Sequence, residues 1–184
     1  NMSGAYILST NLMAANLDDA SLSGAYMTYA ELSKASLNAT NLSATSLYYT
    51  NLFNVRAINL AECPESLPTL WQCLGTTHSQ KILVGPDTNL SGVDLRGANL
   101  SDSYLWRADL TSSNLSGVGL ITANLSSLRA INLEACPVSL PAGWDCIGSN
   151  LIGPGANISG ADLSGDDLSQ AQLSQVRAVD LDGC

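Results

Sequence analysis

A large apolar side chain recurs every five residues along much of this 184-residue chain. That spacing constrains the possible folds more than any other feature. Stepping by five from Ile7 gives Leu12, Leu17, Leu22, Met27, Leu32, Leu37, Leu42, Leu47 and Leu52. A second run goes from Leu90 to Leu125, and a third holds Ile158, Leu163, Leu168 and Leu173. Two residues before each centre stands a short side chain, as at Ala5, Thr10, Ala15, Ala25, Ala35, Thr40, Thr45 and Thr50. The residue directly before the centre is often Asn or Asp, as at Asn11, Asn16, Asn41, Asp94, Asn99, Asp109 and Asp162. A period of five matches neither a helix nor a simple strand. It requires the first and third residues of each five to point inward. A short extended piece supplies that alternation, and a turn then restores the inward direction. Flat faces joined at corners satisfy this, and stacked coils bury a continuous core that one coil cannot.

The five-residue phrase resembles the Ala-(Asp/Asn)-Leu-x-x signature of the pentapeptide-repeat family, and 22 pentads carry the likeness. The resemblance implies an all-β fold, a right-handed quadrilateral parallel β-helix built as a single solenoid over residues 1–184. Four pentads then make one square coil, so residues twenty apart stack, and coils rise by about 4.8 Å. Leu ladders fill the shaft, and the short side chains let its corners close. Asp166 occupies a short inward slot and is expected to accept backbone N–H bonds at a corner.

A longer repeat lies over the pentads. The first run ends in LFNVRAINLAECPESLPTLWQCLG, the second in LSSLRAINLEACPVSLPAGWDCIG and the third in LSQVRAVDLDGC. Each contains an Arg-Ala pair (Arg56, Arg129, Arg177), where the centres are read as shifting by eight residues, from Leu52 to Leu60 for instance. The pattern re-enters through Leu83–Pro86 and Leu151–Pro154. This gives module 1 over 5–60, a linker over 61–87, module 2 over 88–133, a linker over 134–155 and module 3 over 156–184. Such LPxxW linkers look like those of multi-module bacterial proteins of the family. The expectation is one continuous rod, with Trp71 and Trp144 folded back as lids on its side.

Cys63 and Cys73 are ten residues apart, as are Cys136 and Cys146 in the matching loop. A disulfide within each loop is the favoured reading, worth about 3 kcal/mol in the chain-entropy model. Zinc is the weaker rival, because each loop offers two ligands, no CxxC is present and His78 is the sole histidine. Repeated disulfides imply an oxidising compartment: periplasm, thylakoid lumen, cell surface or exterior. Cys184 aligns with Cys63 and Cys136 and is read as the first cysteine of a third linker in a longer protein.

The formal net charge is −9, from 16 acidic and 7 basic residues. Seven scattered cations form no nucleic-acid patch, and no apolar stretch is long enough to span a membrane. No signal peptide is visible at the N-terminus, which starts in mid-pattern, so any targeting segment is expected to lie outside these residues. Catalysis finds no support and no metal or cofactor is expected. His78 lies in a polar loop without the flanking motifs of a nucleophilic site. The pairs Asp18–Asp19 and Asp166–Asp167 do not converge. The Asn-Leu-Ser triplets match a glycosylation acceptor but are a by-product of the pentad.

The outer face is more informative. Stacking by twenty pairs Tyr6 with Tyr26 and Tyr29 with Tyr49, with Tyr48 alongside, while Trp106 and Tyr104 lie apart in module 2. The set is read either as a protein or glycan contact or as ring stacking that stiffens the ladder. The functional expectation is a non-enzymatic repeat scaffold or protein-interaction module outside the cytoplasm, monomeric or associating end to end, with an unknown protein or glycan partner. Two alternatives stand beside it. Some family members resemble duplex DNA and inhibit type II topoisomerases, but a rod of roughly 35 Å would need about 20 negative charges to imitate DNA. The third class is a carbohydrate-binding or adhesion module using the tyrosines.

Overall fold

A computed structural model of the chain describes residues 1–77 and 80–181; the expectations for His78 and Cys184 fall outside them. The chain falls into two compact units, Asn1–Asn89 and Leu90–Cys184. In unit 1 parallel bridges join residues twenty apart in four columns: Tyr6–Tyr26–Ser46–Ser66, Asn11–Glu31–Asn51, Asn16–Ser36–Arg56 and Ser21–Asn41–Glu62, whose last step is one residue longer. Four columns make four faces, so each coil is square. Unit 2 repeats the scheme through Asp94–Asn114–Ala135, Asn99–Gly119–Ser139, Tyr104–Asn124 and Asp109–Arg129. Among the described residues the fold is all β: a quadrilateral parallel β-helix in each unit.

The pentad's residue types follow from this geometry. The central carbonyl accepts the N–H three residues on, as from Ala15 to Leu12 and from Ala25 to Leu22. The residue before that donor has positive φ: Ala14 at 56°, Gly24 at 70°, Ala44 at 55°. Such a corner is a type II turn, which requires positive φ at its third position. The Asn before the centre caps the turn through its side chain. Asn11 Oδ1 accepts the Met13 N–H at 3.0 Å and Asn41 Oδ1 the Ser43 N–H at 3.0 Å. The Asn-Leu-Ser triplet is therefore corner chemistry.

Leucine centres and their short partners line the interior. Leu22, Leu32, Leu37, Leu42 and Leu47 are fully buried in unit 1, as are Leu95, Leu100, Leu105, Leu110 and Leu115 in unit 2. Threonines in the short slots bring a hydroxyl into this apolar shaft, and each hydroxyl has an acceptor. Thr40, Thr45 and Thr50 donate through Oγ1 to the carbonyls of Leu17, Leu22 and Met27 at 2.9, 2.8 and 3.0 Å.

The expected eight-residue shift of the centres does not occur. Register continues through one more pentad, Val55 to Asn59, with Arg56 bridged to Ser36 and Asn59 in the corner conformation at φ 56°. Here the slots exchange sizes: Val55 fills the short slot and Ala57 the central one, and both are fully buried. Leu128 and Ala130 do the same in unit 2. Total volume is kept in the Leu128–Ala130 pair and falls by about one methylene in the Val55–Ala57 pair, while the leucine signal moves or is lost; core packing tolerates such exchanges. The real offset is one residue: Glu62 bridges Asn41 and Ala135 bridges Asn114 at a separation of 21 rather than 20.

The Cys-bracketed segments are therefore part of the coils. After Ser66 the chain forms a hairpin of β1 (Gln72–Gly75) and β2 (Lys81–Val84). Unit 2 has its counterpart in β3 (Asp145–Ile147) and β4 (Asn150–Ile152). Both are antiparallel. The second strand of each rejoins the helix: Leu83 N–H donates to Ala57 O at 3.0 Å, and Leu151 N–H to Ala130 O at 2.8 Å.

Replacing Leu37, central in the shaft, by Ala should cost about 2–5 kcal/mol. Ala25→Leu should cost about 1–3 kcal/mol by overpacking. Leu8→Ala, on the exterior, should stay within about 0.5 kcal/mol. Urea unfolding of the three variants checks the order.

Candidate functional site

Because the short and central slots point inward, the remaining three residues of each pentad form the surface. On unit 1 that surface carries five exposed tyrosines. Tyr6 and Tyr26 precede the centres Ile7 and Met27, so they bridge on one face. Their rings stack with centroids 5.0 Å apart and planes 11° apart. Tyr29 and Tyr49 occupy the following corner at φ 61° and 57°, stacked at 5.1 Å and 7°. Tyr48 tilts against Tyr49 at 4.1 Å, and its hydroxyl lies 3.3 Å from that of Tyr49. That hydrogen bond raises the Tyr48 phenol above its ordinary pKa, with the neighbouring phenols adding to it. All five rings are between 47% and 78% exposed. The result is a column of flat aromatic surface on one face and the adjoining corner.

The cysteines hold a different place. Cys63 and Cys73 stand at disulfide distance with Cα atoms 5.9 Å apart, and Cys136 and Cys146 with Cα atoms 6.1 Å apart. Each pair joins the offset coil segment to the first strand of its hairpin. The tryptophans lie on the re-entry glycines. A Cβ added at Gly85 would meet Trp71 Cδ2 at 2.4 Å, and one at Gly153 would meet Trp144 Cδ2 at 2.3 Å. The indole faces thus cover glycine Cα atoms, and glycine is required there for close approach.

The acidic residues are spread out. Asp18 accepts the Ser36 hydroxyl at 2.6 Å and the Asn38 N–H at 2.8 Å. The Ser36 bond is the largest cause; it outweighs burial and, with the Asn38 bonds and the field of Arg56, holds the carboxyl below its usual value. Asp167 is likewise lowered by the Ser169 N–H and hydroxyl. Asp166 has its carboxylate against the β3–β4 turn, where a Cβ at Gly148 would meet Oδ2 at 2.6 Å. No group of three or more metal-ligating side chains occurs among the described residues. Among the described residues no helix is long and apolar enough to cross a membrane.

Sequence arithmetic located the tyrosine pairs. The groove on unit 2 lined by Arg107, Arg129 and Arg177 is not visible in that arithmetic, because the step from Arg129 to Asn157 is 28 residues rather than twenty.

The chain matches the family model "Pentapeptide repeats" in eight copies, over residues 8–43, 20–56 and 88–126. No curated protein matches. Among solved structures it is similar to HetL, a pentapeptide repeat protein involved in heterocyst differentiation regulation from the cyanobacterium Nostoc sp. strain PCC 7120. Identity is 23% and TM-score 0.22, covering 99% of this chain and 62% of HetL. The chain thus spans less than two thirds of HetL. It is also similar to QnrB1, a plasmid-mediated fluoroquinolone resistance protein, at 13% identity and TM-score 0.34 over 97% of this chain and 86% of the other. A third is Rfr23, a pentapeptide repeat protein from the cyanobacterium Cyanothece 51142, at 19% and 0.23 over 96% and 89%. These likenesses carry no functional argument.

Gly85→Ala and Gly153→Ala should each destabilise the protein by about 1–3 kcal/mol through overpacking. In a Trp71→Ala background most of the Gly85→Ala cost should disappear, a coupling that a double-mutant cycle reads directly. The Asp18 carboxyl is depressed in the folded state. Its contribution is therefore present above the unfolded pKa, about 3.9, and is lost as pH falls through the folded value. Asp18→Asn should lose less stability than the parent protein between about pH 5 and pH 3, measured by denaturant midpoints across that window.

Proposed function

We propose that the chain, which belongs to the pentapeptide-repeat family, is a non-enzymatic scaffold that offers the tyrosine face of unit 1 to a protein partner outside the cytoplasm. The single observation that carries this is the column formed by Tyr6, Tyr26, Tyr29, Tyr48 and Tyr49. Stacked rings that stay about half exposed or more have spent little conformational freedom to become flat. Tyrosines of this kind are favoured at protein contacts because they bury much area at low entropic cost.

The address follows from the cysteines. The two pairs at disulfide distance suit an oxidising compartment, for which periplasm, thylakoid lumen and the cell exterior or surface are the candidates. There each pair closes as a disulfide and braces the place where register slips by one residue. A glycan is the second reading for the same face, favoured by the near-parallel ring pairs that could underlie a sugar ring. The DNA-mimic reading has less behind it: a net charge of −9 is too low, and three arginines line one groove.

An unreduced peptide map tests the address. Bridges 63–73 and 136–146 are expected, and free thiols at all four positions would overturn it. The face is tested with Tyr26→Ala/Tyr49→Ala. This variant should keep its unfolding midpoint but lose co-purification with a defined protein from the extracytoplasmic fraction. Tyrosine-dependent binding on a glycan array would install the second reading instead. Inhibition of gyrase supercoiling would install the mimic.

A further inference from the structure

Two columns of side chains run side by side on unit 2. One is a face column: Asp109 bridges Arg129, and Asn157 bridges Arg177. The Asn157 N–H donates to Leu128 O at 2.8 Å, so the second pair stacks on the first. The other is the preceding corner: Arg107, Ser127, Gly155 and Gln175, with φ of 58°, 57°, 73° and 58°. Gly155 leaves a gap in that corner column, and the two columns enclose a groove of about 350 Å³. Three of the chain's seven basic residues line it.

The three arginines are held differently. Arg129 is half-buried and held by a bond from Nη1 to the Ser159 carbonyl. Arg107 lies over the Trp106 ring, its Cζ 4.3 Å from the centroid. Arg177 is exposed at the groove's rim, and no side-chain bond to it is found among the described residues. Asp109 spends one oxygen on the Thr111 N–H at 2.9 Å. Unit 1 is different: its equivalent Arg56 reaches Asn89 Oδ1 at 3.5 Å and lies in the field of Asp18. The position equivalent to Asp18 in unit 2 is Ser91.

We infer that the groove between Arg107, Arg129 and Arg177 binds a sugar acid, a single carboxylate carried on a hydroxylated ring. Guanidinium forks match a carboxylate bidentately and keep their charge at every accessible pH. The neutral lining of Ser127, Asn157 and Gln175, with the remaining Asp109 oxygen, supplies donors and acceptors for ring hydroxyls. The volume lies at the small end of ligand sites and suits one ring. A net charge of −9 opposes a long polyanion, because exposed charges act over about 10 Å at ordinary salt and a polymer would extend past the arginines.

Isothermal titration of the full, oxidised chain with glucuronate tests this, with glucose, acetate and inorganic sulfate as comparison probes. Glucuronate should bind with a Kd below about 10 mM. Arg129→Ala and Arg177→Ala should each weaken it by about tenfold or more, as expected for loss of a charge-assisted hydrogen bond. Arg56→Ala should leave it unchanged. Gly155→Asn, compatible with the left-handed corner, fills the gap and should abolish binding while the unfolding midpoint stays put. Glucose binding as tightly would overturn the role of the carboxylate. Sulfate or acetate binding as tightly would overturn the sugar. No heat above that limit, or binding that survives Arg177→Ala and Gly155→Asn, would overturn the site.

Discussion

Everything in this molecule depends on the backbone hydrogen bond from one coil to the next. Ile7 N–H reaches Tyr26 O, Leu12 reaches Glu31 and Leu17 reaches Ser36, all at 2.8 Å. A face is too short to form a long strand, so each face gives one bridge per coil, flanked by further bonds such as Tyr26 N–H to Ala5 O at 2.9 Å and Ser9 N–H to Thr28 O at 3.1 Å. They close only if every corner consumes the same number of residues. That requirement imposes a left-handed conformation on one residue in five, though most of the residues that adopt it are not glycine. Tyr29, Lys34 and Ala39 each take a backbone shape that costs an L-residue roughly 1–2 kcal/mol. Their neighbours must supply that energy. The leucine shaft does so through burial, and the Asn caps do so through hydrogen bonds at the turn.

What the sequence disclosed follows the same logic. The shaft was legible because its two inward slots have fixed sizes, and Leu22, Leu32 or Leu95 announce them. The extra pentad at Val55–Asn59 was not. There the short and central slots trade sizes, and a search for leucine sees a break where the shaft is still filled by one larger and one smaller apolar side chain. The Cys-bracketed segments were legible as repeats but not as coil, because Glu62 and Ala135 arrive one residue late. Nothing in a five-residue pattern shows where a single extra residue is absorbed.

The candidate surfaces divide along the same line. Tyr6 over Tyr26 and Tyr29 over Tyr49 can be written down by adding twenty. Arg129 and Asn157 are 28 residues apart, and only the course of the hairpin between them shows that they stack. Outward residues carry no share of the shaft's packing. Face chemistry can therefore vary from one coil to the next without disturbing the fold, as a tyrosine column on one unit and an arginine groove on the other illustrate.

The one-residue offset also bears on how such a chain changes length. Within a run, an insertion or deletion of anything but a multiple of five residues rotates every later side chain out of its slot. The offset segment resets the count, and it recurs intact: Arg56, Cys63 and Trp71 each reappear 73 residues later as Arg129, Cys136 and Trp144. A gene encoding this architecture can lengthen its product by copying whole cassettes. Each copy brings its own correction of phase, so errors of register do not accumulate from one cassette to the next.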